Sequence, residues 1–145
     1  MSESPLLPVT MIEMVFPDQT NHYGTLFGGH ALRLMDKAAF VAASRHARSS
    51  VVTACSERVN FENPVHHGNL IELTANVVAT GRTSMTVAVD LIAEDLISGE
   101  RRLCAHGQFV LVALGPDGKP TNVAPISKGK ASNLNGGSNE FCDGQ

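Results

Sequence analysis

Asp36 stands where a charge needs an explanation. It falls among Leu32, Met35, Ala39, Phe40 and Ala43, which at about 100° per residue lie on one side of a helix. A charged group inside an apolar stripe costs free energy unless something compensates it. Either the carboxylate is a base or nucleophile held partly away from water, or it pairs with Arg33 or Lys37, or it caps a helix elsewhere in an oligomer. The second chemical feature is the pair Gly28-Gly29. Two glycines make a poor helix interior, so they belong at the helix N-terminus. There the backbone N–H groups of Gly28, Gly29 and His30 lack intrahelical partners and sit at the positive end of the dipole. Such donors receive negative charge, and the missing Cβ lets a ligand come close. The plainer reading is that the glycines only permit tight packing of the loop.

These groups must be positioned by something, and the pattern supplies it. Val9 to Phe16 reads as a first strand ended by Pro17, and Asp18 to Phe27 as a polar loop. A long helix follows, ending near Arg45 to Ser50, where basic residues suit the dipole. The period then changes from 3.6 to 2. Val51 to Phe61, Leu70 to Thr80, Ser84 to Leu96 and Arg101 to Leu114 read as strands, with turns at Asn63 to Asn69, Gly81 to Thr83 and Ser98 to Glu100. In the third of these, Met85, Val87, Val89 and Leu91 share one face. Short connections imply antiparallel neighbours. One helix cannot cover both faces of a five-stranded sheet, and this helix is apolar over most of its circumference. The economical solution is an α+β fold in which the sheet curls around the helix and a second copy covers what remains. Residues 1–8 read as a flexible leader, 9–126 as the folded domain and 127–145 as a disordered tail.

Composition narrows the class. A chain of 145 residues suggests one domain, able to bury roughly 68–70% of its unfolded surface. The formal charge of -3 and the absence of Trp argue against nucleic-acid binding. No apolar run is long enough to span a bilayer, and no signal-peptide pattern opens the chain. Cys55, Cys104 and Cys142 form an odd, widely spaced set that suggests neither a disulfide framework nor a zinc site, and a cytoplasmic location is the simplest. His66-His67 lie in a turn, and His30 and Asp36 are about 240° apart on the helix. No H-x-x-x-H or C-x-x-C occurs, so no metal is expected. There is no G-x-S-x-G elbow, and GTLFGG at Gly24 to Gly29 lacks the Lys-Ser/Thr of a phosphate loop.

Several stretches in register carry a resemblance. TNHYGTLFGG with ALRLMDKAA, the turn residues Phe61, Pro64 and Gly68, the string GRTSMTV from Gly81, and FVLVALGPDGKPTNVAP together resemble the hotdog-fold acyl-CoA thioesterases of the YciA-like and cytosolic acyl-CoA hydrolase group. The resemblance covers about Val9 to Pro125. Asn69 departs from it, standing where the family often has an acidic residue. It implies an antiparallel five- to six-stranded sheet wrapped around one central helix. It further implies hydrolysis of acyl-CoA to free acid and coenzyme A without metal or other cofactor. The implied assembly is a homodimer with sites at its interface, often built into a hexamer as a trimer of dimers.

Residue by residue, the resemblance makes Asp36 the catalytic acid-base group, as general base on water or by direct attack to an anhydride. It makes Gly28, Gly29 and His30 the oxyanion donors. Asp36 lies about two turns from Gly29, roughly 10 Å along the axis, so a second subunit is expected to help complete the site. Asn21 matches an Asn that positions water or thioester; the competing reading is an Asx-turn. Arg82, Thr83 and Ser84 match a motif near coenzyme A, where Arg suits phosphate; ordinary turn polarity competes. Thr53 and Ser56 would face the site across the interface. Two other functions stay open: a non-catalytic acyl-CoA-binding module, which would have no need of Asp36, and a hydratase or dehydratase, which would need a histidine beside it.

Overall fold

The computed structural model describes residues 7–126. Of the expected leader only Leu7 and Pro8 are described, and the expected tail at 127–145 lies outside the described residues. The chain forms β1 (Val9–Met14), a 3-10 turn at Pro17–Gln19, α1 (Gly28–Ala47), β2 (Ser50–Phe61), β3 (Leu70–Thr80), β4 (Ser84–Glu94) and β5 (Arg101–Leu114). The five strands make one antiparallel sheet in the order β1-β3-β4-β5-β2. This is the hotdog arrangement, with β1 and β2 as the two edges.

Most boundaries agree with the periodicity. β1 stops two residues early because Gln19 Oε1 accepts from the Phe16 N–H at 3.0 Å and turns the chain. β4 stops at Glu94 because Asp95 Oδ1 accepts from the N–H groups of Ile97 and Ser98, an Asx-type turn. The helix closes with Arg48 in the left-handed region at φ 52°, its N–H donating to Ser44 O at 2.8 Å.

The alternating residues Met85, Val87, Val89, Leu91 and Ala93 of β4 are buried, as are Ile71, Leu73, Ala75 and Val77 of β3. They meet a helix face made of Ala31, Leu34, Met35, Ala38, Ala39, Ala42 and Ala43. That face corrects the expected stripe. Leu32 is only partly buried and Phe40 is exposed, so Asp36 stands on the flank of the helix, half-buried, and not at the centre of its apolar side.

β2 departs from plain alternation at two places, between Thr53 and Cys55 and between Glu57 and Asn60. Arg58 there adopts φ 57°, the left-handed region that one class of bulge uses. The first irregularity has a consequence for the site. Thr53 pairs with Leu111 and Ser56 with Phe109, and both partners are buried. The extra residue therefore brings Thr53 and Ser56, three apart in sequence, to the same helix-facing side.

At the second irregularity β2 crosses close above β5. A Cβ on Gly107 would lie 2.7 Å from Val59 Cγ2 and 3.0 Å from Val59 Cα. Gly107→Ala is therefore expected to cost about 1–3 kcal/mol, read as a lower urea midpoint. Gly81→Ala should cost less, since its 2.7 Å neighbour is the Ser84 hydroxyl, which rotates away.

Candidate active site

Asp36 is held from the sheet. Thr53 Oγ1 donates to Asp36 Oδ1 at 2.8 Å, which fixes one carboxylate oxygen and leaves Oδ2 for other work. The contact lies where the helix flank meets the edge strand β2. Val52 (46% exposed) and Phe40 (45%) are the large apolar residues exposed on those two elements nearest Asp36 in sequence. Neither Arg33 nor Lys37 makes an ion pair with Asp36 among the described residues.

Gly28 and Gly29 open α1 as the sequence requires. Phe27 is the N-cap residue and offers no side-chain hydrogen bond. The N–H groups of His30 and Ala31 both donate to Phe27 O at 3.0 Å. The His30 N–H is thus engaged within the first turn, and the N–H groups of Gly28 and Gly29 are the ones left among the described residues. Both glycines are exposed, and nothing stands within 4 Å of where a Cβ on Gly29 would point.

The loop before the helix is a small closed structure. Asn21 Oδ1 accepts from Tyr23 N at 2.9 Å, Thr25 N at 3.1 Å and Thr25 Oγ1 at 3.1 Å. The Asx-turn reading of Asn21 is therefore realised for its oxygen, while its amide –NH2 makes no hydrogen bond among the described residues. The loop is pinned to the 63–69 turn by Leu26 N to Val65 O at 2.7 Å and His67 N to Gly24 O at 3.1 Å.

The remaining predicted residues are not brought together with the glycines. Leu91, Ala105 and Phe61 lie in one row across the sheet, and Met85, Leu111 and Thr53 in another. The rows are six residues apart along β4, roughly 20 Å. Phe61 approaches Gly28, whose Cβ would lie 3.9 Å from Phe61 Cζ, so the helix start sits over the first row. The Arg82-Thr83-Ser84 turn follows the second row, at the opposite end. It is tied down through its backbone, by Ala113 N to Thr83 O and Val123 N to Arg82 O, both 2.9 Å. The Arg82 guanidinium is exposed and makes no ion pair among the described residues. Ser56 is exposed, with no side-chain hydrogen bond among the described residues.

Sequence reasoning missed a cavity of about 280 Å³ beside the helix start. Gly28, Ala31, Phe61, Val65, Leu91, Cys104 and Ala105 line it, with Thr25, Leu26, Glu62, Asn63 and Pro64. Burial pushes the Cys104 thiol pKa up, which disfavours the thiolate form. Cys55 on β2 is half-buried and is not a free thiol, contrary to the reading of an unlinked set. Among the described residues no group of three or more His, Cys, Asp or Glu is placed to hold a metal ion, and no helix is long and apolar enough to cross a membrane.

Known proteins share this fold. The thioesterase superfamily model matches residues 23–99. The uncharacterized acyl-CoA thioester hydrolase YkhA of Bacillus subtilis is 39% identical over 118 residues, 81% of this chain and 69% of that one. A hexameric acyl-CoA thioesterase in its apo form superimposes with a TM-score of 0.81 at 38% identity, over 83% of this chain and 77% of that one. An acyl-CoA hydrolase from Staphylococcus aureus, solved with butyryl coenzyme A, coenzyme A and coenzyme A disulfide, gives 0.80 at 33% identity, over 83% and 73%. That enzyme has also been solved with an asparagine, an aspartate and a threonine individually replaced by alanine. Those three positions are separated by 15 and 17 residues, as are Asn21, Asp36 and Thr53 here.

Gly29 has open space where a Cβ would go and no left-handed φ. Gly29→Ala is therefore expected to stabilise the fold, by about 0.5 kcal/mol from helix propensity. A raised melting temperature would show that this glycine does not serve the fold.

Proposed function

The chain belongs to the thioesterase superfamily, and from that premise we propose that it hydrolyses acyl-CoA thioesters to the free acid and coenzyme A. The observation that carries this reading is the hydrogen bond from Thr53 to Asp36. It orients a carboxylate on the helix flank without neutralising it, and leaves one oxygen directed to chemistry.

Asp36 takes a proton from water as the water oxygen attacks the thioester carbonyl carbon. The carbonyl electrons move onto oxygen, where the N–H groups of Gly28 and Gly29 receive the charge. Collapse of the tetrahedral species restores C=O and breaks C–S. The sulfur leaves with the pair of electrons and takes the proton from Asp36. In the variant route Asp36 Oδ2 attacks the carbonyl carbon, the C–S bond breaks and the sulfur leaves as thiolate. Water then opens the anhydride, its released proton going to the sulfur. The amide –NH2 of Asn21 then donates to water or thioester in this reading, its oxygen being held by the loop.

One protomer does not complete this site. Asp36 and Gly29 are about two turns apart, roughly 10 Å, and the Arg82 turn lies at the far end of the sheet from the glycines. Two copies meeting along their β2 edges would bring the Asp36 flank of one toward the glycine end of the other. The same pairing would carry an Arg82-Thr83-Ser84 turn toward the coenzyme A phosphates. Support comes from the unpaired edge strand and from exposed Val52, Phe27, Phe40 and Phe61. We take the homodimer as the minimal unit and the hexamer as its assembly, as in the similar hexameric thioesterase. Light scattering at micromolar concentration is expected to give a multiple of the dimer mass, and a monomer would refute the shared site.

The reaction is tested by following thiol release from acetyl-, octanoyl- and palmitoyl-CoA. Asp36→Ala and Asp36→Asn are expected to lower kcat by about 10²–10⁴-fold. Gly29→Ala should lower kcat/KM while leaving the protein folded. No release by the parent with any chain length refutes the thioesterase reading, whereas full activity in Asp36→Ala refutes only the role of Asp36.

A further inference from the structure

We infer that the cavity beside the helix start is the acyl-chain pocket, and that it limits the substrate to short and medium chains of up to about eight or nine carbons. This rests on the thioesterase reading above and adds the substrate class to it.

The cavity exists because of residue size. Across the sheet, Phe61, Ala105 and Leu91 are directly paired neighbours on β2, β5 and β4. The middle position is an alanine between two large side chains. Above it the helix presents Ala31, also small and buried. Two alanines facing across the same space leave a hollow that neighbouring layers fill with Leu73, Met85, Phe109 and Leu111. A register shift at Cys104 turns both Cys104 and Ala105 inward, which deepens it.

The lining selects hydrocarbon. Ala31, Val65, Leu91, Cys104 and Ala105 are all buried, and the thiol is their only polar group. Two of the polar groups at the rim are already engaged. Asn63 Nδ2 donates to Leu103 O at 2.8 Å, and Glu62 Oε2 pairs with His106 Nε2 at 2.8 Å. Pantetheine carries two amides that would go unpaired in such a space, while an alkyl chain loses nothing there. Gly28 belongs to both the lining and the oxyanion donors. A carbonyl held at its N–H therefore has the cavity next to it, so the acyl arm enters and the thioester sulfur faces out. Water's share of liquid volume is about 30 Å³ and a methylene is of similar size, so 280 Å³ takes roughly nine carbons.

The test is kcat/KM for saturated acyl-CoAs from C2 to C16, measured on the parent, Ala105→Val and Val65→Ala as assembled. The parent is expected to gain roughly fourfold per added methylene up to C8, then to lose at least tenfold by C14. Ala105→Val fills the hollow and should lower the ratio of octanoyl to butyryl rates by tenfold or more. Val65→Ala enlarges it and should shift the optimum to longer chains. Each is a ratio within one protein, so a reduced folded fraction cancels, and opposite shifts do not arise from general damage. Rates that keep rising through C16, or ratios unchanged in both variants, overturn the pocket assignment and leave the thioesterase reading standing. No hydrolysis at any length overturns both.

Discussion

Five of the seven buried residues on α1 are alanines, and the rest of the molecule follows from how near that lets the helix lie to its sheet. A leucine-faced helix would ride higher, since interaxial distance follows the side chains at the contact. At this height, a carboxylate on the helix flank comes within hydrogen-bond reach of a threonine on the edge strand. The same choice of small residues, where Ala31 meets Ala105, leaves a gap that hydrocarbon of substrate size can fill. Core packing and chemistry are thus one choice of residue size made along one helix.

Much of this was legible in the sequence. Strands β3 and β5 have the boundaries that alternation and turn residues set, because each has one buried and one wetter face and a clear stop. The helix start was legible from the glycine pair alone. Asp36 was recognisable as a residue needing explanation, but its place was misjudged. Leu32 and Phe40 look like core residues in a helical projection, whereas the small alanines opposite them are what the sheet contacts. Apolar size misleads when close approach is what the fold requires.

Other features depend on pairing, and pairing is not a local property. That Thr53 and Ser56 share a face follows from the bulge between them, which strict alternation would deny. The cavity needs Ala105 to stand between Phe61 and Leu91, residues from three strands. His30 looked like a third donor because the first turn of a helix usually leaves its N–H groups free. The carbonyl of Phe27 takes that N–H in a tight first turn, a detail of geometry that residue type does not carry.

The twice-interrupted edge of β2 has a further meaning. An open strand of 12 residues is a template for any extended peptide, and flat edges invite indiscriminate pairing. Here the ladder loses its regular spacing near Thr53 and again near Arg58, so an ordinary strand laid alongside would fall out of step twice. A second copy running antiparallel carries the same interruptions and can keep step about a two-fold axis. The irregularities thus guard the edge: an unrelated flat strand would meet mismatched donors and acceptors.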